Sequence, residues 1–202
     1  MRADEEIAAA DGRLIRIVDS SMAEAARRAG SRLACYAGCG TCCSEPFPVN
    51  LLDAARLARG MRGLREAGSE RARRITERAR QTVARFAPEF PGNHTTGELG
   101  NDRFARAAFF ERFDGTPCPA LCPDTGVCEI HEHRPVACRI AGPPIRRGGE
   151  DMPHCRLCYE GEPPEVIEAA RVEVDPENFE LSLLAECGLQ QTLIAYALLR
   201  ED

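Results

Sequence analysis

The 202-residue chain contains no lysine and no tryptophan. All 26 basic residues are arginines, which excludes chemistry that depends on a lysine amine, such as Schiff-base formation and phosphate binding by a P-loop lysine. The 3 tyrosines and 8 phenylalanines are too few for the aromatic platform on which single-stranded nucleic acids stack. The sequence also lacks a run of about 18 apolar residues, so we expect no membrane span and no membrane partner.

The chain is also acidic overall. The chain has 32 acidic residues against 26 basic ones, which gives a net charge of −6, and the acidic excess is concentrated after Leu157. A protein that binds nucleic acid neutralises phosphates with a basic surface. The charge balance therefore predicts no nucleic-acid partner.

Cysteine, by contrast, is abundant, with 11 residues. An odd number of cysteines, with Cys42 and Cys43 adjacent, suits a set of intramolecular disulfides poorly. Asp4, Glu5 and Glu6 stand where a secretory signal needs a basic start and an apolar run. These features favour a location in the reducing cytoplasm, where clustered thiols are more often metal ligands or redox groups than disulfides.

Helical signals dominate the rest of the sequence. Residues Asp4 to Leu33 are rich in Ala, Arg and Glu, with apolar residues at roughly helical spacing, and Ser69 can cap a helix that runs to about Phe86. Strand signals are sparse, and Arg171 to Val174 is the best candidate. We predict an all-α, mainly helical fold that carries irregular cysteine-rich metal-binding loops.

Several other positions carry helix-start signals. Asn50 and Asp102 are predicted N-caps, and Asp175 followed by Pro176 is a strong helix start. The last helix, Phe179 to Leu199, is the most apolar, with Gly188 as a candidate break. We predict a single domain, residues 1–202, which consists of an N-terminal helix (1–34), a cysteine-cluster metal-binding core (35–139) and an acidic C-terminal segment that ends in an apolar helix (160–202).

One face of the helix that Ser69 begins is strongly basic. A charge run of this kind is usually a solvated face. We therefore expect its arginines to face water: Arg71, Arg73, Arg74, Arg78 and Arg80.

The first cysteine loop runs from Cys35 to Cys43. Its C-x2-C turn, Cys39 to Cys42, brings two sulfurs to one centre, and the glycines at 38 and 40 suit so tight a turn. Adjacent cysteines in an extended stretch point in opposite directions, so Cys42 and Cys43 need not serve one centre. A glycine-flanked knuckle is a poor core element, which favours a ligand role for these thiols.

The second loop contributes further cysteines, and a late C-x2-C knuckle follows it. Thiolates from two knuckles suit tetrahedral Zn²⁺ or an iron–sulfur cluster, and the spacing does not choose between them. The ten cysteines of the two loops and the knuckle are enough for two four-thiolate metal centres. Cys187, alone in the last apolar helix, is expected in the core. The candidate metal ligands are Cys35, Cys39, Cys42, Cys43, Cys118, Cys122, Cys128, Cys138, Cys155 and Cys158.

Two arginines flank the last cysteine of the second loop. Clustered thiolates need positive charge nearby, and arginine cannot lose its proton in a buried site. Arg134 and Arg139 are therefore candidate cofactor-binding residues that neutralise the site, and an ordinary surface salt bridge is the alternative. Among the histidines, His154 beside the late knuckle is the better candidate ligand, whereas His131 and His133 fit a surface role.

These motifs resemble the YkgJ-type cysteine-cluster family. The resemblance rests on Cys35–Cys43, on the CPAL of Cys118–Leu121, on the C-x-I of Cys128–Ile130 and on the RP-x-x-CR of Arg134–Arg139. It implies chelation of zinc or iron by the matching cysteines, which are Cys35, Cys39, Cys42 and Cys43 in the first block and Cys118, Cys128 and Cys138 in the second.

The sequence departs from the family pattern in two places. His131 stands where a tyrosine is usual, and Cys122 is additional, so the second loop's ligand set can differ from the family's. The flagellin lysine methylases are similar in their C-x3-C-x2-C-C element and are associated with an iron–sulfur cluster. That shorter resemblance favours iron–sulfur, of the 4Fe-4S type, over Zn²⁺ without implying methyl transfer.

The predicted function is metal binding, with thiolates of both loops holding an iron–sulfur cluster or zinc. The alternative is a metalloenzyme that uses an open iron–sulfur or iron site for redox or group-transfer chemistry. No dinucleotide, P-loop, nucleophile-elbow or zinc-protease motif is present to support a named reaction. A thiol redox protein and a zinc-bearing nucleic-acid binder rank lower, and a protein partner is left open.

Overall fold

Eight α-helices run through the part of the chain that the computed structural model describes, residues 2–201. The mainly helical prediction is confirmed. Met1 and Asp202, the ends of the predicted domain, lie outside the described residues. The helices are α1 (Arg2–Ala29), α2 (Leu51–Glu66), α3 (Glu70–Phe86), α4 (Arg103–Arg112), α5 (Val136–Arg139), α6 (Pro164–Ala170), α7 (Phe179–Cys187) and α8 (Ile194–Ala197).

Short strands are also present, so all-α is too narrow a description. In one two-stranded sheet, β1 (Pro48–Asn50) pairs antiparallel with β7 (Gln191–Leu193), and Pro48 lies opposite Leu193. The remaining strands form a hairpin and a three-stranded sheet in which β4 pairs antiparallel with β5 and parallel with β6. They are β2 (Gly92–Asn93), β3 (Glu98–Leu99), β4 (Ile145–Arg147), β5 (Glu150–Met152) and β6 (Val172–Glu173).

The first of two compact units comprises residues 2–36 and 136–187. Its centre is α1, whose buried Leu14, Val18, Ala25 and Ala29 recur at intervals of four and seven residues, as one face of a helix requires. The helix packs against α5, α6, α7 and β6. The predicted strand near Arg171 to Val174 is confirmed as β6.

The second unit comprises residues 37–135 and 188–201. Its core is an aromatic cluster in which Phe86, Phe109 and Phe113 meet edge-on or tilted, with ring centroids 4.8–5.2 Å apart. Helix α8 packs against α2 and α3. The prediction that the whole chain forms one domain stays a prediction.

Three predicted N-caps in the second unit are confirmed. The Asn50 side chain accepts the N–H of Asp53 at 2.9 Å, and Ser69 and Asp102 cap α3 and α4 in the same way. Each of these side chains satisfies a backbone N–H group that the first helical turn leaves without a partner.

The prediction for the C-terminal helix was wrong in its extent. Helix α7 ends at Cys187, and Gly188 follows with a φ of +98°, a left-handed conformation that ends helices at little cost. Residues Gln191–Leu193 then form β7 and only Ile194–Ala197 return to helix. Backbone pairing with β1 overrides the apolar helical pattern here.

Helix α7 begins at Phe179, where the prediction placed it, but the Asp175–Pro176 start signal acts from outside the helix. Asp175 has a φ of +53°, and its buried carboxylate accepts the N–H groups of Phe179 and Glu180 at 2.9 Å each. Pro176 is therefore not the first helical residue, because α7 begins at Phe179.

Among the described helices, none combines the length and the apolar character that crossing a bilayer would need.

Candidate metal centre

Each of the eleven cysteines is a free thiol. The two compact units divide the ten candidate ligands between them. The second unit holds Cys39, Cys42, Cys43, Cys118, Cys122 and Cys128, and the first unit holds Cys35, Cys138, Cys155 and Cys158.

In the second unit, a main-chain hydrogen bond joins the two cysteine loops. Residues Thr41–Cys43 form a 3-10 turn in which Cys43 N–H donates to Gly40 O at 2.9 Å. The carbonyl of Cys43 in turn accepts the N–H of Cys118 at 2.7 Å. The last cysteine of the first loop is therefore held beside the first cysteine of the second.

The loops also touch at their glycines. Gly38 has a φ of +97°, and a Cβ there would lie 2.9 Å from the carbonyl oxygen of Thr125. A Cβ on Gly126 would clash with the carbonyl of Gly38. Only glycine allows the backbones to approach this closely, which explains the glycine content of the first loop.

The second loop is a small hairpin that presents three thiols. Leu121 and Cys128 form an isolated antiparallel bridge, and Cys122 N–H donates to Val127 O at 2.9 Å. Gly126 N–H closes the turn on Cys122 O at 2.8 Å. Cys118 comes just before the hairpin, Cys122 lies directly before its turn and Cys128 lies at its end.

The thiols of the second unit differ in acidity. A hydrogen bond with the Cys43 side chain, supported by the positive charge of Arg134, lowers the pKa of Cys42 to about 6. Burial raises the pKa of Cys118 to about 11 and also raises the pKa of Cys128. Cys42 is thus readily deprotonated at neutral pH, and Cys118 needs a strong positive charge to become a thiolate.

Main-chain N–H groups point at several of these sulfurs. The N–H groups of Ala120 and Leu121 oppose the effect of burial on the pKa of Cys118. At Cys122, hydrogen bonds from the side chain and N–H of Thr125 lower the pKa. Donors of this kind stabilise negative sulfur, as the surroundings of a thiolate ligand should.

An acidic residue that the sequence patterns did not single out anchors this hairpin. The Glu129 side chain is 8% exposed and forms ion pairs with Arg78 and, at 2.8 Å, with Arg74. Arg78 also donates from Nε to the carbonyl oxygen of Pro119 at 2.8 Å. The expected solvated face of α3 is therefore wrong at Arg78, which is only 23% exposed and holds the second cysteine loop. Arg74, 54% exposed, and Arg71, which donates to Glu129 O at 3.5 Å, remain exposed while they contact the same loop. In the sequence, the feature that points to this anchor is the spacing of Arg74 and Arg78, which places them one helical turn apart on the same face of α3.

In the first unit, Cys35 lies against Gly142. A Cβ on Gly142, whose φ is +123°, would come within 2.9 Å of Cys35 Sγ. The carbonyl oxygen of Gly142 accepts the N–H of Cys155 at 2.9 Å, and Cys155 O accepts the N–H of Cys158 at 2.9 Å. Cys138 lies on α5, four residues before Gly142. Sequence patterns did not single out Gly142.

The two candidate arginines have different surroundings. Arg134 lies in the second unit, where its charge lowers the pKa of Cys42 and opposes the rise at Cys128. Arg139, 6% exposed, binds both carboxylate oxygens of Asp19 on α1 at 2.8 and 2.9 Å. A role for Arg139 toward a cofactor stays a prediction.

Three of the histidines have ring contacts of their own. The ring of His133 packs on Gly60 of α2, and His131 is exposed beside Glu132. The ring of His154 meets Tyr159 edge-on, with centroids 6.1 Å apart.

Within residues 2–201, no set of three or more Cys, His, Asp or Glu side chains is already spaced to coordinate a metal ion. The donor set nevertheless fits a thiophilic metal, because free thiols on joined loops are surrounded by N–H donors and by the charge of Arg134. Each thiol can turn about χ1, which moves sulfur without moving the backbone.

Comparison with known proteins adds one match. Residues 34–158 match the family model CxxCxxCC, which is described as a "putative zinc- or iron-chelating domain". The matched region is more than half of the chain and includes all ten candidate cysteines. No curated protein and no solved structure matches the chain significantly.

Proposed function

The chain belongs to the CxxCxxCC family, and from this premise we propose that the protein holds zinc or an iron–sulfur cluster through the thiolates of its cysteine loops. An iron–sulfur cluster of the 4Fe-4S type ranks ahead of Zn²⁺ on the resemblance of the first loop alone. We place the protein in the reducing cytoplasm, where eleven free thiols persist. A metalloenzyme with an open site stays a prediction.

The hydrogen bond between Cys118 N–H and Cys43 O is the observation that carries this proposal. It joins the two loops through the backbone and uses no sulfur. It brings the backbones of Cys43 and Cys118 together, which supports a site that draws thiolates from both loops.

The residues around these thiols prepare them for ligation. Arg134 and the N–H groups of the second loop stabilise thiolate, while burial at Cys118 and Cys128 opposes it. A bound metal supplies the remaining positive charge and so displaces the buried protons. We infer that ligation requires rotation of the thiols about χ1 while the backbone bond between the loops stays in place.

The test is anaerobic purification followed by metal analysis and an absorption spectrum. A brown protein that absorbs near about 400 nm identifies an iron–sulfur cluster, and a colourless protein with stoichiometric zinc identifies Zn²⁺. A protein that retains neither metal, before and after reconstitution with iron and sulfide or with zinc, contradicts the proposal.

A further inference from the structure

We propose that the first unit carries a second, separate metal centre, ligated by Cys35, Cys138, Cys155 and Cys158. The inference rests on the proposed function and extends it, because it assigns the number of centres and the cysteines of each. All four residues belong to residues 2–36 and 136–187. Four thiolates complete a tetrahedral site for Zn²⁺ or iron.

Gly142 brings two of the four cysteines together. The sulfur of Cys35 occupies the space beside its α-carbon, 2.9 Å from where a Cβ would lie. On its carbonyl side, Gly142 holds the backbone of Cys155 through a 2.9 Å hydrogen bond. One residue with a φ of +123° therefore contacts Cys35 and fixes Cys155, which a residue with a side chain could not do.

The late knuckle is folded as a ligand turn. The N–H of Cys158 donates to Cys155 O at 2.9 Å, which closes the C-x2-C turn. The next residue, Tyr159, donates its N–H to the carbonyl oxygen of Arg32 at 3.1 Å. This bond ties the knuckle to the chain just before Cys35, so two backbone contacts hold the knuckle near that thiol.

The fourth cysteine is positioned by α5. Cys138 lies in this helix, next to Arg139, whose guanidinium binds both oxygens of Asp19 on α1. The two-point ion pair fixes α5 on α1, and the chain reaches Gly142 four residues after Cys138. Cys138 is therefore only four residues from Gly142, the residue that contacts Cys35.

The late knuckle lies in buried, apolar surroundings, whereas Cys35 is exposed. Cys158 is 1% exposed and packs in an apolar cluster with Ala29, Tyr159 and Ala170. Cys155 and Leu33 pack against the same cluster. Four cysteine ligands would leave no coordination position open, as in structural zinc sites.

Cobalt(II) titration of the metal-free, reduced protein tests the second centre, with thiolate-to-cobalt charge-transfer absorption as the readout. The variants are Cys155→Ser/Cys158→Ser in the first unit and Cys42→Ser/Cys43→Ser in the second, with Cys187→Ser as a matched first-unit control. We expect wild type and the control to bind about twice as much cobalt as either double variant.

Cobalt binding by Cys155→Ser/Cys158→Ser equal to that of wild type overturns the second centre and leaves the proposed function standing. Loss of all cobalt in either double variant also overturns it, because it indicates one shared centre. A wild-type chain that binds no cobalt contradicts both proposals.

A single-site variant guards against misfolding. Cys35 is exposed, so Cys35→Ser leaves the core intact, and circular dichroism should match that of wild type. We expect Cys35→Ser to lose the same part of the cobalt signal as the knuckle variant. A full wild-type signal in a folded Cys35→Ser protein removes Cys35 from the site and overturns the assignment.

Discussion

The carbonyl oxygen of Cys43 accepts a 2.7 Å hydrogen bond from the main-chain N–H of Cys118. The residues are far apart in sequence, and this bond places the end of the first cysteine loop beside the start of the second. No sulfur takes part in it, so the loops are joined without using the groups that would bind metal. Pairing of the loops is therefore a property of the backbone, and metal binding depends on thiols that it brings near.

From the contacts of Arg78 with the second cysteine loop, we predict that Arg78→Ala destabilises the protein. The change removes the hydrogen bond to Pro119 O and one of two partners of the buried Glu129 carboxylate. We expect a fall of about 2 kcal/mol in the free energy of unfolding, since hydrogen bonds to charged groups are worth about 1.5–3 kcal/mol. Denaturant unfolding by circular dichroism measures it.

Arg80→Ala is the control for this prediction, because Arg80 is an exposed residue on the same helix. It should change stability by less than about 0.5 kcal/mol. Equal effects of Arg78→Ala and Arg80→Ala would remove the anchoring role from Arg78.

Many of the local features could be predicted from the sequence because their causes are local. Asn50, Ser69 and Asp102 cap helices within three residues of themselves. The sequence marks Gly188 as a candidate break in the last helix. Strand β7, which follows it, forms by pairing with β1, and β1 is distant in sequence. A pattern within one segment does not report such a partner.

The candidate site likewise contains features with local causes, which the sequence predicts, and features that depend on distant contacts, which it does not. Cysteine spacing identified the thiols, because knuckles are local motifs. The roles of Glu129 and Gly142 were not visible, since each depends on a contact with a residue many positions away: Arg78 for Glu129 and Cys35 for Gly142. The solvated-face prediction failed at Arg78 for that reason.

Alkylation of the metal-free protein should depend on pH differently at each thiol. With a pKa of about 6, Cys42 is mostly thiolate at pH 7, and its reaction with iodoacetamide should fall as pH drops through 6. Burial raises the pKa of Cys118 to about 11, so its reaction should stay slow until strongly alkaline pH. Peptide mass spectrometry across pH measures both.

Cys187 provides an internal reference, because burial and the neighbouring Glu186 charge raise the pKa of this thiol. At pH 7 it should react more slowly than Cys42. Reaction of Cys42 and Cys187 with the same pH midpoint would contradict the acidity that the structure gives to the first loop.

The charge of Arg134 should support metal retention in the second unit. Replacement by glutamine removes the positive charge that favours thiolate at Cys42 and Cys128. We expect about a 10-fold loss of metal affinity, as is usual when groups around the ligands are changed. Competition with a chelator measures it.

Arg134→Lys tests whether charge is the cause. The effect on both thiols acts through Coulomb attraction, so lysine should keep most of the affinity. Wild-type metal content and melting temperature in Arg134→Gln would show that this arginine does not serve the site.

Gly142→Ala should destabilise the first unit. The added methyl group lies 2.9 Å from Cys35 Sγ, and alanine must adopt a φ of +123°. Gly149→Ala is the matched control, because its φ is +79° and nothing lies within 4 Å of the added Cβ. We expect about 1–2 kcal/mol from the backbone in the control and about 1–3 kcal/mol more at Gly142.

Thermal unfolding of the two glycine variants gives the comparison, and the cobalt signal of the first unit should fall in Gly142→Ala only. Identical melting temperatures and identical cobalt binding would mean that Cys35 does not rest on Gly142 in solution.

Metal content per chain of Cys42→Ser/Cys43→Ser, purified anaerobically beside wild type and Cys187→Ser, tests the central claim most directly. Cys42 and Cys43 end the first loop, at the point where its backbone meets Cys118. We predict metal in wild type and in the Cys187→Ser control, and a marked loss in the double variant with its helical content unchanged. Metal content in the folded double variant equal to that of wild type would contradict the assignment of the first cysteine loop to a metal centre.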